Sequence, residues 1–153
     1  MKRPIAVSVQ SKKNKMILQK VGKDLAEKLC EGDPVRKNIP FDWRVADCRR
    51  EMFHLEEKAV ICVAHLSGIP ITEKKLLSLK WGCYSIFYTV WSSERGLGRK
   101  IIEETKKLLQ SQHFNNRYIT MSPKTEMATK FHLKNGAILL QENPTTNNFE
   151  YEA

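Results

Sequence analysis

Gly96 and Gly98 stand one residue apart in the segment SERGLGRKII, with Arg95 between Glu94 and Gly96 and with Arg99 and Lys100 after. The apolar run CYSIFYTVW leads into the segment, and a helical pattern leads out of it. A strand that ends in glycines and opens a helix aims free backbone N–H groups at one point. The helix dipole adds partial positive charge there. Glycines allow positive φ and let a ligand come close to the main chain. Those features suit a phosphate group. The pattern is not a Walker loop, because no Gly-Lys-Ser/Thr follows. It is not the dinucleotide fingerprint, because Ile101 stands where a small residue is needed. A tight structural turn is the other reading of the same residues.

Other reactive side chains carry weaker patterns. Glu56, Glu57, His54, His65 and Tyr88 are the residues able to act as a base, and none sits in a motif. The cysteines, Cys30, Cys48, Cys62 and Cys83, are 14 residues or more apart, so no C-x-x-C pair exists and no metal site is expected. Cys62 and Cys83 lie in apolar runs and read as small core residues. A reducing, cytoplasmic setting is expected. Trp43, Trp81 and Trp91 read as core or rim aromatics. The net charge of +9 allows an anionic cofactor, nucleic acid or an acidic partner, but the lysines and arginines are spread rather than blocked.

The elements that must position these residues follow from periodicity. The chain of 153 residues is read as one domain over 1–153, with 41% hydrophobic and 28% charged residues placing it among soluble globular proteins. No apolar stretch is long enough for a membrane span. The basic start has no long apolar region, so no signal peptide is expected. Ile17, Val21, Leu25 and Leu29 recur every four residues and predict a helix over 14–30, stopped at EGDP. Asp42 can cap a short helix carrying Trp43, and Met52–Leu55 can begin a strand. KAVICVAHL reads as a buried strand. A turn and a short helix capped by Thr72 follow. In the next strand, alternation puts Tyr84, Ile86, Tyr88 and Val90 on one face, and Ser85, Phe87, Thr89 and Trp91 on the other. After the elbow come a helix to about Gln110, the strand RYITMS, and a helix from the Thr125 cap to Gly136. Two strands, AILLQ and NNFEYE, close the chain. Helical crossovers together with a terminal hairpin predict an α/β (α+β) fold on a mixed sheet.

SERGLGRKII resembles the pyrophosphate loop of the GNAT acetyltransferase superfamily, Gln/Arg-x-x-Gly-x-Gly/Ala. Gly96 and Gly98 take the small positions, and Ser93 departs from the usual Gln or Arg. TEMATKFHLKNGA resembles that superfamily's later helix, Asn-x-x-Ala-x-x-Leu-Tyr-x-x-x-Gly-Phe. Thr125 takes the Asn place, Ala128 and Gly136 match, Phe131 replaces Leu, and His132 stands where Tyr is usual. The resemblance covers about residues 83–140. The same segments resemble uncharacterised acetyltransferase-like proteins of bacteriophages.

The resemblance implies a mostly antiparallel sheet of six to seven strands, flanked by helices and splayed between strands 4 and 5. It implies acetyl-CoA in the wedge. Main-chain groups of Thr89, Val90 and Trp91 would bond the pantetheine arm, and the N–H groups of Arg95, Gly96, Leu97, Gly98 and Arg99 the pyrophosphate. His132 would serve as general acid for the leaving thiolate, or merely pack or bond the cofactor. Asn135 would bond the cofactor arm or cap its helix. The implied reaction is direct acetyl transfer to an amine, small molecule or protein, by a monomer or homodimer. The alternative is an inactive basic binding module on the same scaffold, engaging nucleic acid or another protein.

Overall fold

The computed structural model describes residues 16–112 and 116–153. Among the described residues eight strands form one sheet in the order β1-β2-β3-β4-β5-β8-β6, with β7 paired to β8. The strands are β1 Gln19–Lys20, β2 Arg50–Leu55, β3 Ala59–Leu66, β4 Tyr84–Ser92, β5 Arg117–Thr120, β6 Ser122–Pro123, β7 Ile138–Glu142 and β8 Thr146–Tyr151. Among the described residues only β4 and β5 pair in parallel, because helix α4, Leu97–Gln112, carries the crossover between them. All other pairs are antiparallel. The sheet is therefore mixed and mostly antiparallel, as expected. Its two extra strands, β1 and β6, are two residues long.

Helices cover both faces. On one side α1, Lys23–Cys30, brings Ala26 and Leu29, and α3, Glu73–Ser78, brings Leu76, onto Met52, Val60, Cys62, Ile86 and Tyr88. On the other side Ile101, Ile102 and Leu109 of α4 pack on Phe53, Ile61, Val63, Phe87 and Phe149. Burial from both sides explains why β3 reads as a continuous apolar run rather than an alternating one.

Three sequence expectations need correction. The helix expected over 14–30 starts only at Lys23. Gly22 stands at its N-cap, and the open edge of β2 recruits Gln19 and Lys20 into the sheet, leaving Ile17 exposed. Residues 14 and 15 lie outside the described residues. Alternation along β4 breaks at a bulge, where Cys62 faces Thr89 and Val63 faces Phe87. Tyr88 is the extra residue. Val90 then joins Phe87 on the α4 side, and Trp91 packs with Tyr88 on the other, the reverse of the expected faces. Cys83 is exposed, whereas Cys62 is buried as expected.

The short helix α2, Phe41–Arg44, and helix α5, Glu126–Lys134, complete the molecule. Thr125 caps α5 by accepting from Ala128 N–H at 3.1 Å, and Gly136 ends it at φ 95°.

Candidate functional site

β4 and β5 stop pairing after Phe87 and Thr120. The last bond between the two segments runs from Met121 N–H to the Phe87 carbonyl at 3.3 Å. The carbonyls of Tyr88 and Met121 come next. Both are acceptors, so they cannot bond each other. Arg36 bridges them: Nε donates to the Tyr88 carbonyl at 3.2 Å and Nη2 to the Met121 carbonyl at 2.6 Å. Its Nη1 pairs with Glu73 at 3.1 Å. This buried guanidinium bolts the two strands where they part. Nothing in the sequence distinguishes Arg36 from the other basic residues of its loop.

The parting opens a cleft of about 330 Å³. Its walls are Phe87–Ser92 of β4, Gly98 at the start of α4, Met121–Pro123, and the α5 side chains Met127, Ala128, Phe131 and His132. Pro34 and Val35 close the remaining side. Thr89, Val90, Trp91, Gly98 and His132 thus line one cleft. Arg95, Gly96, Leu97 and Arg99 form the elbow beside Gly98, outside the cleft wall, and Asn135 stands behind it.

The elbow is held by its own polar groups. Ser92 Oγ donates to the Glu94 carbonyl at 3.1 Å. Ser93 N–H and Oγ donate to the Lys58 carbonyl at the β2–β3 turn. Ser93, the departure from the loop pattern, is therefore an anchor to the neighbouring hairpin. Gly96 takes φ 85°, which favours glycine. Leu97 N–H bonds the Glu94 carbonyl at 3.3 Å, and the first helical bond is Lys100 N–H to the Gly96 carbonyl. That leaves Gly98 and Arg99 N–H without a helical carbonyl at the positive end of the 16-residue α4. The Arg99 side chain pairs with Glu103, and that of Arg95 is exposed.

Gly98 answers to packing. A Cβ on it would lie 3.0 Å from Phe131 Cζ and 3.1 Å from Cε1. Gly98→Val is expected to drive the Phe131 ring off its seat and into the cleft. The cost is about 1–3 kcal/mol of stability, typical of overpacking, with loss of ligand affinity. Urea unfolding and calorimetric titration of CoA check both parts. An unchanged stability would count against the contact.

His132 sits in an aromatic clamp of Phe131, Phe149 and Tyr151, with ring centroids 5.1, 5.2 and 5.8 Å away. Burial pushes its pKa down from 6.5 to about 4. At neutral pH the ring is uncharged. Its Nδ1 lies 2.7 Å from the Tyr151 hydroxyl. Burial raises that phenol well above its ordinary range, and the Asn135 amide partly opposes the rise. Asn135 Nδ2 is buried and has no hydrogen-bond partner. Either the phenol donates to Nδ1 or Nδ1–H donates to the phenol, according to the imidazole tautomer. Tyr151 does not line the cleft, so Nδ1 points away from it and Nε2 is the nitrogen left for the ligand. The sequence gives no hint of Tyr151, which stands on another element 19 residues away.

Of the other expected bases, all but Tyr88 lie elsewhere. His65 is buried at the opposite end of β3, with Nε2 2.8 Å from Glu51 and Nδ1 2.9 Å from Ser85 Oγ. His54 Nδ1 accepts from Glu57 N–H, and Glu56 and Glu57 take positive φ in the β2–β3 turn. Tyr88 lines the cleft, but burial raises its hydroxyl well above the usual phenol range. Among the described residues no group of three or more His, Cys, Asp or Glu is placed to hold a metal, and no helix is long and apolar enough to cross a membrane.

A buried ion pair supports the wall that carries Pro34 and Val35. Asp33 Oδ2 meets Arg44 Nη1 at 2.7 Å, both side chains being at most 1% exposed. Asp33 Oδ1 accepts from Val35 N–H, Arg36 N–H and Thr89 Oγ1. The remaining Arg44 donors bond the Arg36 and Ile39 carbonyls.

No protein-family model matches the chain, and no curated protein matches it. Solved structures do. A malonyl-CoA decarboxylase from Agrobacterium vitis superposes with TM-score 0.61 at 18% identity, over 84% of this chain and 38% of that one. A malonyl-CoA decarboxylase from Cupriavidus metallidurans gives TM-score 0.48 at 22% identity, over 70% and 30%. This chain thus spans well under half of either decarboxylase. A GNAT-family acetyltransferase from Listeria monocytogenes 4b F2365 superposes with TM-score 0.61 at 9% identity, over 90% of this chain and 94% of that one. The mixed sheet, the single parallel pair and its splay are those of the GNAT fold.

Proposed function

We propose that this chain binds acetyl-CoA in the cleft between β4 and β5 and transfers the acetyl group to an amine by direct attack. The observation that carries this reading is the parting of the strands beside the glycine elbow. It puts an open strand edge, a helix N-terminus and an imidazole around one cavity. The fold neighbours, a GNAT acetyltransferase and a malonyl-CoA decarboxylase, support a CoA ligand.

In this reading Gly98 and Arg99 N–H meet the pyrophosphate, with Gly96 giving the chain its turn and Arg95 adding exposed charge. The β4 edge at Thr89–Trp91 holds the pantetheine arm. His132 Nε2–H faces the thioester sulfur and stabilises its negative charge by a hydrogen bond. A neutral imidazole is far too weak an acid to surrender that proton fully. Its work is electrostatic, and the tautomer in which the Tyr151 phenol donates to Nδ1 makes it possible.

CoA binding is expected to stabilise the fold by about 2.7 kcal/mol at a hundredfold excess over Kd. Thermal unfolding with millimolar acetyl-CoA, followed by calorimetry, measures it. An unchanged Tm would remove the acyltransferase reading and favour a basic binding module. Such a module would show steeply salt-dependent binding of generic DNA or RNA instead.

A further inference from the structure

The walls of the cleft are apolar and aromatic, led by Val35, Tyr88, Met121, Met127 and Phe131. No carboxylate lines it. The two packed behind its walls are engaged, Asp33 by Arg44 and Thr89, and Glu73 by Arg36. Residues 1–15 and 113–115 contain no Asp or Glu. His132 Nδ1 is engaged by the Tyr151 hydroxyl at 2.7 Å. The walls thus offer no carboxylate to pair with an ammonium or take its proton, and an apolar cavity makes burying that cation costly.

From these walls we infer that the acceptor is an apolar, weakly basic amine, an aromatic amine above all, whose nitrogen is uncharged before it enters. This rests on the acetyl-transfer reading. The amine lone pair forms the C–N bond, and the thioester C–S bond breaks with its electron pair on sulfur. One N–H proton ends on that sulfur. A neutral primary amine and acetyl-CoA thus give the N-acetyl amide and the CoA thiol, with nothing else consumed. A lysine-type ammonium, with a pKa of about 10.4, is uncharged in fewer than about one molecule in a thousand at pH 7. It would need a carboxylate to pair with it or take its proton, and none lines the walls.

Two measurements separate this inference from the reading beneath it. Calorimetric titration of CoA tests the cofactor; no binding would overturn the acetyl-transfer reading, and this inference with it. Thiol release is then followed at pH 7 with aniline, benzylamine and spermidine as acceptors. Aniline is expected to be turned over at least about tenfold faster than either alkylamine. Met127 is 82% exposed at the cleft, so Met127→Glu can add a carboxylate without disturbing the core. It is expected to raise benzylamine turnover about fivefold or more and to narrow the gap. A protein that binds CoA but prefers benzylamine or spermidine, or acetylates no aromatic amine, overturns the inference and leaves CoA binding intact.

Discussion

Asp33→Ala is expected to cost the folded chain about 3–5 kcal/mol, the range for removing one partner of a buried ion pair. For a chain of this size that is a fall in Tm of roughly 10–15 °C. The reason is asymmetry. Arg44 would stay in the core, still bonded to the Arg36 and Ile39 carbonyls, but its charge would have no counterion. Val35 N–H, Arg36 N–H and the Thr89 hydroxyl would lose their acceptor in the same step. Removing both charges with D33L/R44M should recover a large part of the loss, because the desolvation cost goes with them. Urea unfolding at pH 7 of the two variants against wild type measures this. A loss under about 1 kcal/mol for Asp33→Ala would show that water reaches the pair.

The effect extends to the cleft, because Asp33 directly precedes the residues that build it. Pro34 and Val35 form one wall, and Arg36 holds the strands where they part. A chain that survives Asp33→Ala at low temperature should therefore also bind CoA more weakly. The buried network is the link between stability and site shape.

How much of this was legible in sequence depends on the range of each interaction. The elbow, α4 and α5 were legible because their signals are local. Glycines follow an apolar run, Thr125 caps three residues ahead of Ala128, and Gly136 ends the helix. β4 was legible as a strand, but its bulge was not. The extra residue is defined by how Cys62 and Val63 on β3 meet it, and an alternation rule has no knowledge of a partner. Arg36 reaches Met121 across 85 residues, and Arg44 reaches Asp33 across 11. In sequence each is one more cation in a basic chain. The resemblance pointed to His132, yet its state is set by burial and by a phenol on β8. Residue type suggested an acid, and the surroundings keep the ring uncharged.

That revision yields the second large effect. His132→Ala is expected to lower turnover by about 10²–10³, the scale for losing one preorganised donor to developing charge. Acetyl-CoA affinity should change little. Tyr151→Phe keeps the ring and removes only the hydroxyl that engages the imidazole Nδ1, so a smaller loss, about tenfold, is expected. His132→Gln retains an N–H donor and should keep more activity than the alanine variant. With an amine that is already neutral, His132 should impose no loss of rate between pH 6 and 8, because it titrates near 4. An imidazolium donor would instead fail as pH rose through about 6.5. The same burial makes a stability claim. Between pH 6.5 and about 4 the unfolded chain takes up a proton that the folded His132 refuses. The folded state is therefore fully favoured above pH 6.5 and loses stability as pH falls toward 4, by up to roughly 3 kcal/mol from this residue. His132→Gln should flatten that part of the slope in urea titrations at pH 7, 5.5 and 4.5. A wild-type rate that collapses above pH 6.5 with a neutral acceptor, while the glutamine variant shows no such limb, would restore the imidazolium and refute the neutral donor.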